Sequence, residues 1–117
     1  MPAARKARRI MITTHVLDTT LGRPAAGIPV TLDFQVSEQE WKQLGKDITD
    51  GDGRARKLTV AGADLAKGVY RLTFDVASYQ QGFYPRVILV FHVDVPNEHY
   101  HVPLLLSKFG YTTYRGS

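Results

Sequence analysis

Two groups of residues in this chain have types and spacing that suit chemistry. The first is its histidines: His15, His92, His99 and His101. Side chains of an extended strand alternate between faces, so His99 and His101 share a face, and His15 shares one with Met11, Thr13 and Leu17. Imidazole titrates near neutrality, which suits two converging histidines to an acid/base role, although a strand histidine is more often merely packed or exposed. The second group is the run Tyr111-Thr-Thr-Tyr-Arg-Gly-Ser117. Tyr114 can stack and hydrogen bond, Arg115 offers a planar donor fork, Gly116 permits close backbone approach, and Ser117 carries a hydroxyl beside the chain carboxylate. Four such groups in succession read as part of a site; the plainer reading is an edge strand with a polar end.

Other chemistries find less support. His99-x-His101 has the look of a metal pair, but with no cysteine and no evident third ligand no metal is expected. Asp50-x-Asp52 lacks the twelve-residue loop and closing Glu of a calcium-binding EF-hand. The glycine-rich phosphate and dinucleotide loops and the Gly-x-Ser-x-Gly elbow do not occur. Taken alone, Arg54 reads as an exposed arginine closing the turn Asp50-Gly-Asp-Gly-Arg.

The elements that must position these residues are mostly strands. Residues 9–18 are rich in β-branched side chains, and residues 28–36 alternate with Ile28, Val30, Leu32, Phe34 and Val36 on one face. Further strands are expected over residues 41–48, 55–60, 69–75, 86–94, 99–107 and 111–114, with turns at 19–27, 49–54 and 96–97 and a loop at 62–68. Residues 76–81 have room for one or two helical turns. Seven or eight short strands at this spacing suggest an all-β sandwich.

A length of 117 residues fits one domain, and 44% hydrophobic with 22% charged residues reads as globular. No apolar run approaches the ~20 residues of a membrane helix, and no hydrophobic signal core is seen, so a cytoplasmic location without membrane association is expected. The absence of cysteine excludes a disulfide framework. The formal charge of +4 comes from Arg5, Lys6, Arg8 and Arg9; the other 11 basic residues match 11 acidic ones. The basic excess therefore sits in a leader over residues 1–9, expected to be disordered, and not on a folded face that would bind nucleic acid.

Several motifs resemble one family. His15-Val-Leu-Asp18 with Gly22-Arg-Pro-Ala25 resembles the opening signature of transthyretin-like proteins, and Asp50-Gly-Asp-Gly-Arg54 resembles their turn ending in arginine. His99-Tyr-His-Val-Pro-Leu-Leu-Leu-Ser107 and the ending Tyr-Arg-Gly-Ser are similar to the signatures of the 5-hydroxyisourate hydrolases within that family. The resemblance covers residues 10–117. It implies a transthyretin-like sandwich of two four-stranded sheets with one short helix. It also implies a homotetramer, a dimer of dimers whose sites lie in a central channel. The implied reaction is hydrolysis of 5-hydroxyisourate, a product of urate oxidation, with no metal or organic cofactor.

Carried over by matching motif, the catalytic positions are His15, Arg54, His101 and Ser117; His15, Arg54, Tyr114, Arg115 and Gly116 bind substrate. These types fit the chemistry. One imidazole, of His15 or His101, activates water toward a cyclic amide, Arg54 steadies the developing oxyanion, and Arg and Tyr match a flat polar heterocycle. Two departures stand out: residues 76–85 form a segment short enough to trim the helix to a turn, and Arg86 stands where an acidic residue is common. The rival reading is a carrier of small aromatic ligands. Hormone-carrying members have Lys, Glu and Thr where this chain has His15, Arg54 and Tyr114. A purely structural adhesive module is a third reading, opposed by the histidine signature.

Overall fold

The computed structural model describes residues 11–59, 65–95 and 98–116. The basic leader, Val60, part of the loop at 62–68, the turn at 96–97 and Ser117 lie outside the described residues; of the strand expected over 55–60 only Ala55 is in a strand, and residues 56–59 continue without strand pairing. Among the described residues nine strands are formed: β1 (Met11–Asp18), β2 (Arg23–Pro24), β3 (Pro29–Ser37), β4 (Glu40–Ile48), β5 (Arg54–Ala55), β6 (Gly68–Asp75), β7 (Arg86–Val93), β8 (His99–Leu106) and β9 (Tyr111–Thr113). One sheet has the order β4-β3-β6-β7, antiparallel throughout. The other runs β2-β1-β8-β9, with β5 also paired to β1. In it β1 and β8 run parallel, in unbroken register from Met11 opposite His99 to Asp18 opposite Leu106.

The β-sandwich expectation holds, with two corrections. The second sheet has five strands, because the chain on either side of the β3–β4 hairpin returns to β1 in two-residue pairings, Leu17 and Asp18 with β2 and Thr14 and His15 with β5. The short helix is not formed among the described residues. Residues 76–80 make a turn in which the N–H groups of Tyr79 and Gln80 both donate to the Val76 carbonyl. Ala77 N–H donates to the Pro85 carbonyl at 2.8 Å, which draws the chain back before a helix can extend. The Tyr79 hydroxyl donates to the Asp18 carboxylate at 2.6 Å and ties this turn to the end of β1.

Period-two patterning builds the core. Ile12 and Val16 of β1, Val30 and Leu32 of β3, Tyr70, Leu72 and Phe74 of β6, and Val102 and Leu104 of β8 meet in one apolar cluster between the sheets. Each such side chain contributes about 1.5–3 kcal/mol through burial. The alternation in β3 breaks at its end: Val36, expected inward, is 52% exposed. Register shifts against β4 at Leu32/Asp33 and Gln35/Ser37 bend the strand out past the core edge. In β1 the even-numbered residues fill the core, which leaves Met11, Thr13, His15 and Leu17 on the outer face, as the sequence spacing requires.

Candidate active site

The outer face of the β1–β8 pair carries the candidate chemistry. Parallel pairing sets Thr13 beside His101 and His15 beside Pro103. The buried Thr14 hydroxyl donates to the Val102 carbonyl and pins the two strands together at this level. The resulting cavity, of about 350 Å³, is lined by Met11, Thr13, Thr14, Arg54, Arg56, His99 and His101. His15 stands next to it, its ring centroid 6.5 Å from that of His101, and the rings of His99 and His101 are 6.1 Å apart.

Each imidazole is held through one nitrogen. His15 Nε2 lies 2.8 Å from the Asp52 carbonyl oxygen. A carbonyl only accepts, so His15 carries a proton on Nε2 and, when neutral, has its lone pair on Nδ1. His101 Nδ1 lies 2.8 Å from the Thr13 hydroxyl, which leaves Nε2 as its reactive nitrogen. The same hydroxyl lies 2.7 Å from His99 Nε2. Burial, and then the positive charge of Arg54, push the His101 pKa down, with smaller contributions from His99 and His15. His101 is therefore neutral at neutral pH and able to accept a proton.

Arg54 reaches the site because a tight turn delivers it. The Asp50 carboxylate accepts from the N–H groups of Asp52 and Arg54 at 2.9 and 3.0 Å, and Gly53 N–H donates to the Asp50 carbonyl at 2.8 Å. The Arg54 N–H bond is the leading cause that holds the Asp50 carboxyl below its usual range. Gly53 has φ of +79°, and a Cβ there would collide with the Val16 carbonyl oxygen. That carbonyl-to-backbone closeness is what lets Val16 N–H bond Gly53 and lets β5 pair Arg54 with His15.

The tail divides. Gly116 N–H donates to the His101 carbonyl at 2.8 Å, bringing Gly116 against the site. Arg115 turns elsewhere: its guanidinium bonds Glu98 at 3.1 Å and lies 4.4 Å from the centre of the Tyr100 ring. Tyr114 and Arg115 line a separate, mostly apolar cavity of about 290 Å³ with Ile88, Val90 and Tyr100. Within the chain, then, His15, Arg54, His101 and Gly116 come together, Tyr114 and Arg115 do not join them, and Ser117 is outside the described residues. From the sequence, Thr13 and the Asp52 carbonyl have no site role, and His99 stands out only as sharing a strand face with His101. The signal for Thr13 and His99 was present in the shared face of Met11, Thr13 and His15 and in the His99-x-His101 spacing, but only the parallel register brings them together. Among the described residues, no three His, Cys, Asp or Glu side chains converge as a metal site requires.

Comparison with known proteins agrees with this frame. The sequence model described as the HIUase/Transthyretin family matches residues 12–116. A 5-hydroxyisourate hydrolase from Halalkalibacterium halodurans is 45% identical over 115 residues, spanning 91% of this chain and 97% of that protein. The solved 5-hydroxyisourate hydrolase of Klebsiella pneumoniae is similar with a TM-score of 0.77 and 29% identity, over 92% of this chain and 98% of its own. Transthyretin from Sparus aurata has a TM-score of 0.81 and 28% identity, over 90% of this chain and 95% of its own. The backbone alone thus does not separate hydrolase from carrier, and the side chains of the site must. On sequence and fold together, the chain belongs to the HIUase/transthyretin family.

Proposed function

We propose that this protein hydrolyses 5-hydroxyisourate to 2-oxo-4-hydroxy-4-carboxy-5-ureidoimidazoline. The observation that carries the reading is that His101 and Arg54 line one cavity with His15 beside it, on a chain 45% identical to a 5-hydroxyisourate hydrolase. His101, neutral and open at Nε2, takes a proton from water as its oxygen attacks the cyclic amide carbonyl. Arg54 stabilises the oxyanion as it forms. Collapse of that intermediate breaks the C–N bond, and the proton held by His101 passes to the departing nitrogen. His15, anchored through Nε2 to the Asp52 carbonyl, presents Nδ1 to hydrogen bond and orient the substrate. The chemistry asks for no metal or organic cofactor. The carrier alternative fits less well, because cationic and imidazole groups make a reactive lining and not an apolar ligand grip.

The reading extends to a cytoplasmic homotetramer, a dimer of dimers with Tyr114, Arg115 and Ser117 completing substrate contacts in the assembly. Supporting the assembly, Ile88 and Val90 stand exposed on the outer strand β7, and Tyr114 is exposed next to them around the apolar cavity. The direct test generates 5-hydroxyisourate with urate oxidase and follows its ultraviolet decay with and without the protein. Acceleration is expected; decay at the uncatalysed rate overturns the reading.

A further inference from the structure

The Thr13 hydroxyl is 6% exposed as part of its residue and sits between two imidazoles, 2.7 Å from His99 Nε2 and 2.8 Å from His101 Nδ1. A hydroxyl has one proton to donate. It also has two lone pairs, so the two facing nitrogens cannot both be bare, and where Thr13 donates to one imidazole it accepts from the other. The tautomers of His99 and His101 are thereby coupled. In one arrangement His101 Nδ1–H donates to Thr13, Thr13 donates to His99 Nε2, and His101 Nε2 is an open lone pair. In the other, every bond is reversed and His101 Nε2 carries the proton.

We propose that Thr13 couples His99 to His101 as a proton relay, which moves the charge gained by His101 during hydrolysis out to His99 and returns it when the leaving nitrogen is protonated. The inference rests on the hydrolase reading above. The step balances. When His101 Nε2 takes a proton from water, its Nδ1 proton passes to the Thr13 oxygen and the Thr13 hydroxyl proton passes to His99 Nε2. The hydroxyl is regenerated, no electrons move, and the positive charge now lies on His99. Protonation of the departing nitrogen by His101 Nε2 runs both transfers backward.

The surroundings favour that direction. His101 is half-buried, and burial first, then Arg54 from β5, His99 on its own strand and His15 from β1, oppose a positive charge on it. His99 is exposed at the start of β8, opposite Met11 of β1, where water can solvate the imidazolium. Arg56, which lines the same cavity, is paired with the Asp50 carboxylate at 3.4 Å, while the neighbouring Glu98 is engaged by Arg115. Thr13 and His99 act through His101, and so are positioning residues for the reaction.

The test compares Thr13→Val, which keeps the shape and loses the oxygen, with Thr13→Ser and His99→Gln. Turnover of 5-hydroxyisourate is measured beside imidazole nitrogen NMR shifts of the resting protein, with circular dichroism to confirm folding. Thr13→Val and His99→Gln are expected to lower kcat by about 10-fold or more with KM nearly unchanged, and Thr13→Ser to restore it. In the NMR spectrum, His99→Gln should shift the His101 tautomer ratio in the parent protein but not in the Thr13→Val background. A Thr13→Val protein with parental kcat, or a His101 tautomer indifferent to Thr13, overturns the relay. Tautomer coupling in a parent protein that does not hydrolyse 5-hydroxyisourate upholds the coupling and overturns the proposed activity instead.

Discussion

Gly116 sits close against the His101 imidazole: a Cβ on Gly116 would stand 2.8 Å from His101 Cδ2 and 3.2 Å from Pro103 Cγ, while its N–H donates to the His101 carbonyl. The glycine is needed here for space, since its backbone is not in a left-handed conformation. The tail therefore fixes one edge of the ring whose other edge is held by Thr13. Gly116→Ala must push either the tail or the imidazole aside. Turnover is expected to fall by about 10-fold or more, because small displacements of a proton-transfer group are costly. Thermal stability should change little, and a turnover equal to the parent's would show that the ring tolerates the methyl.

The same ring sets the pH response. Its folded pKa lies below the ordinary value of 6.5, chiefly through burial and then through Arg54. The neutral form is the base, so kcat/KM should rise with pH through an acid limb centred below 6.5. The sign for stability is the same: the unfolded chain binds this proton more readily, so His101 contributes stability fully above 6.5 that is lost as pH falls through the folded pKa. Arg54→Gln should raise the His101 midpoint in an NMR titration yet leave it below the ordinary value, because burial, the larger cause, remains. A midpoint that moves down on losing Arg54 would contradict the assignment.

How much of this was legible beforehand depends on period. The alternation of β3 and the period-two face of β1 are properties of single strands, and the sequence carries them openly. Thr13 and His99 are different: their strand faces could be read from spacing, but not that Thr13 would sit between two imidazoles. Only the parallel pairing of β1 with β8, across a separation of 86 residues for Thr13 and His99, creates the contact. The two-residue strands β2 and β5 are too short to show a period, so they read as turn and strand start. The outward swing of Val36 comes from a bulge, which changes register without changing composition. The orientation of Arg115 toward Glu98 and Tyr100 depends on a cavity formed by β7 and β8, which no local motif encodes.

Arg54 offers a test of the electrophile and of the turn that delivers it. His15→Ala, Arg54→Ala and His101→Ala should each lower turnover by about 10²-fold or more. The changes should be less than additive in pairs if the three groups act on one transition state. Asp50→Ala removes the carboxylate that accepts from the Asp52 and Arg54 N–H groups, and should lower turnover while the sandwich stays folded. Because the Asp50 pKa is depressed, its contribution is present above the ordinary 3.8 and lost only as pH falls further. The turn therefore stays intact across the working range. Parental turnover from Arg54→Ala would remove the arginine from the mechanism.

Assembly provides the last prediction. Ile88 and Val90 alternate with the core residues Val87 and Leu89 on β7, so they face outward, 48% and 59% exposed. Both border the apolar cavity that also holds Tyr114 and Arg115. An outer strand with paired apolar side chains invites a second copy of the chain, and closed symmetry is the common outcome. Light scattering should give about four times the chain mass of 13.1 kDa. Val90→Asp places a charge at this surface without touching the histidine cavity. It is expected to shift the mass toward monomer or dimer and, if the proposed assembly encloses the substrate, to lower turnover with it. A monomeric parent protein at micromolar concentration would refute the tetramer. A Val90→Asp protein that stays tetrameric would show that β7 is not where the copies meet.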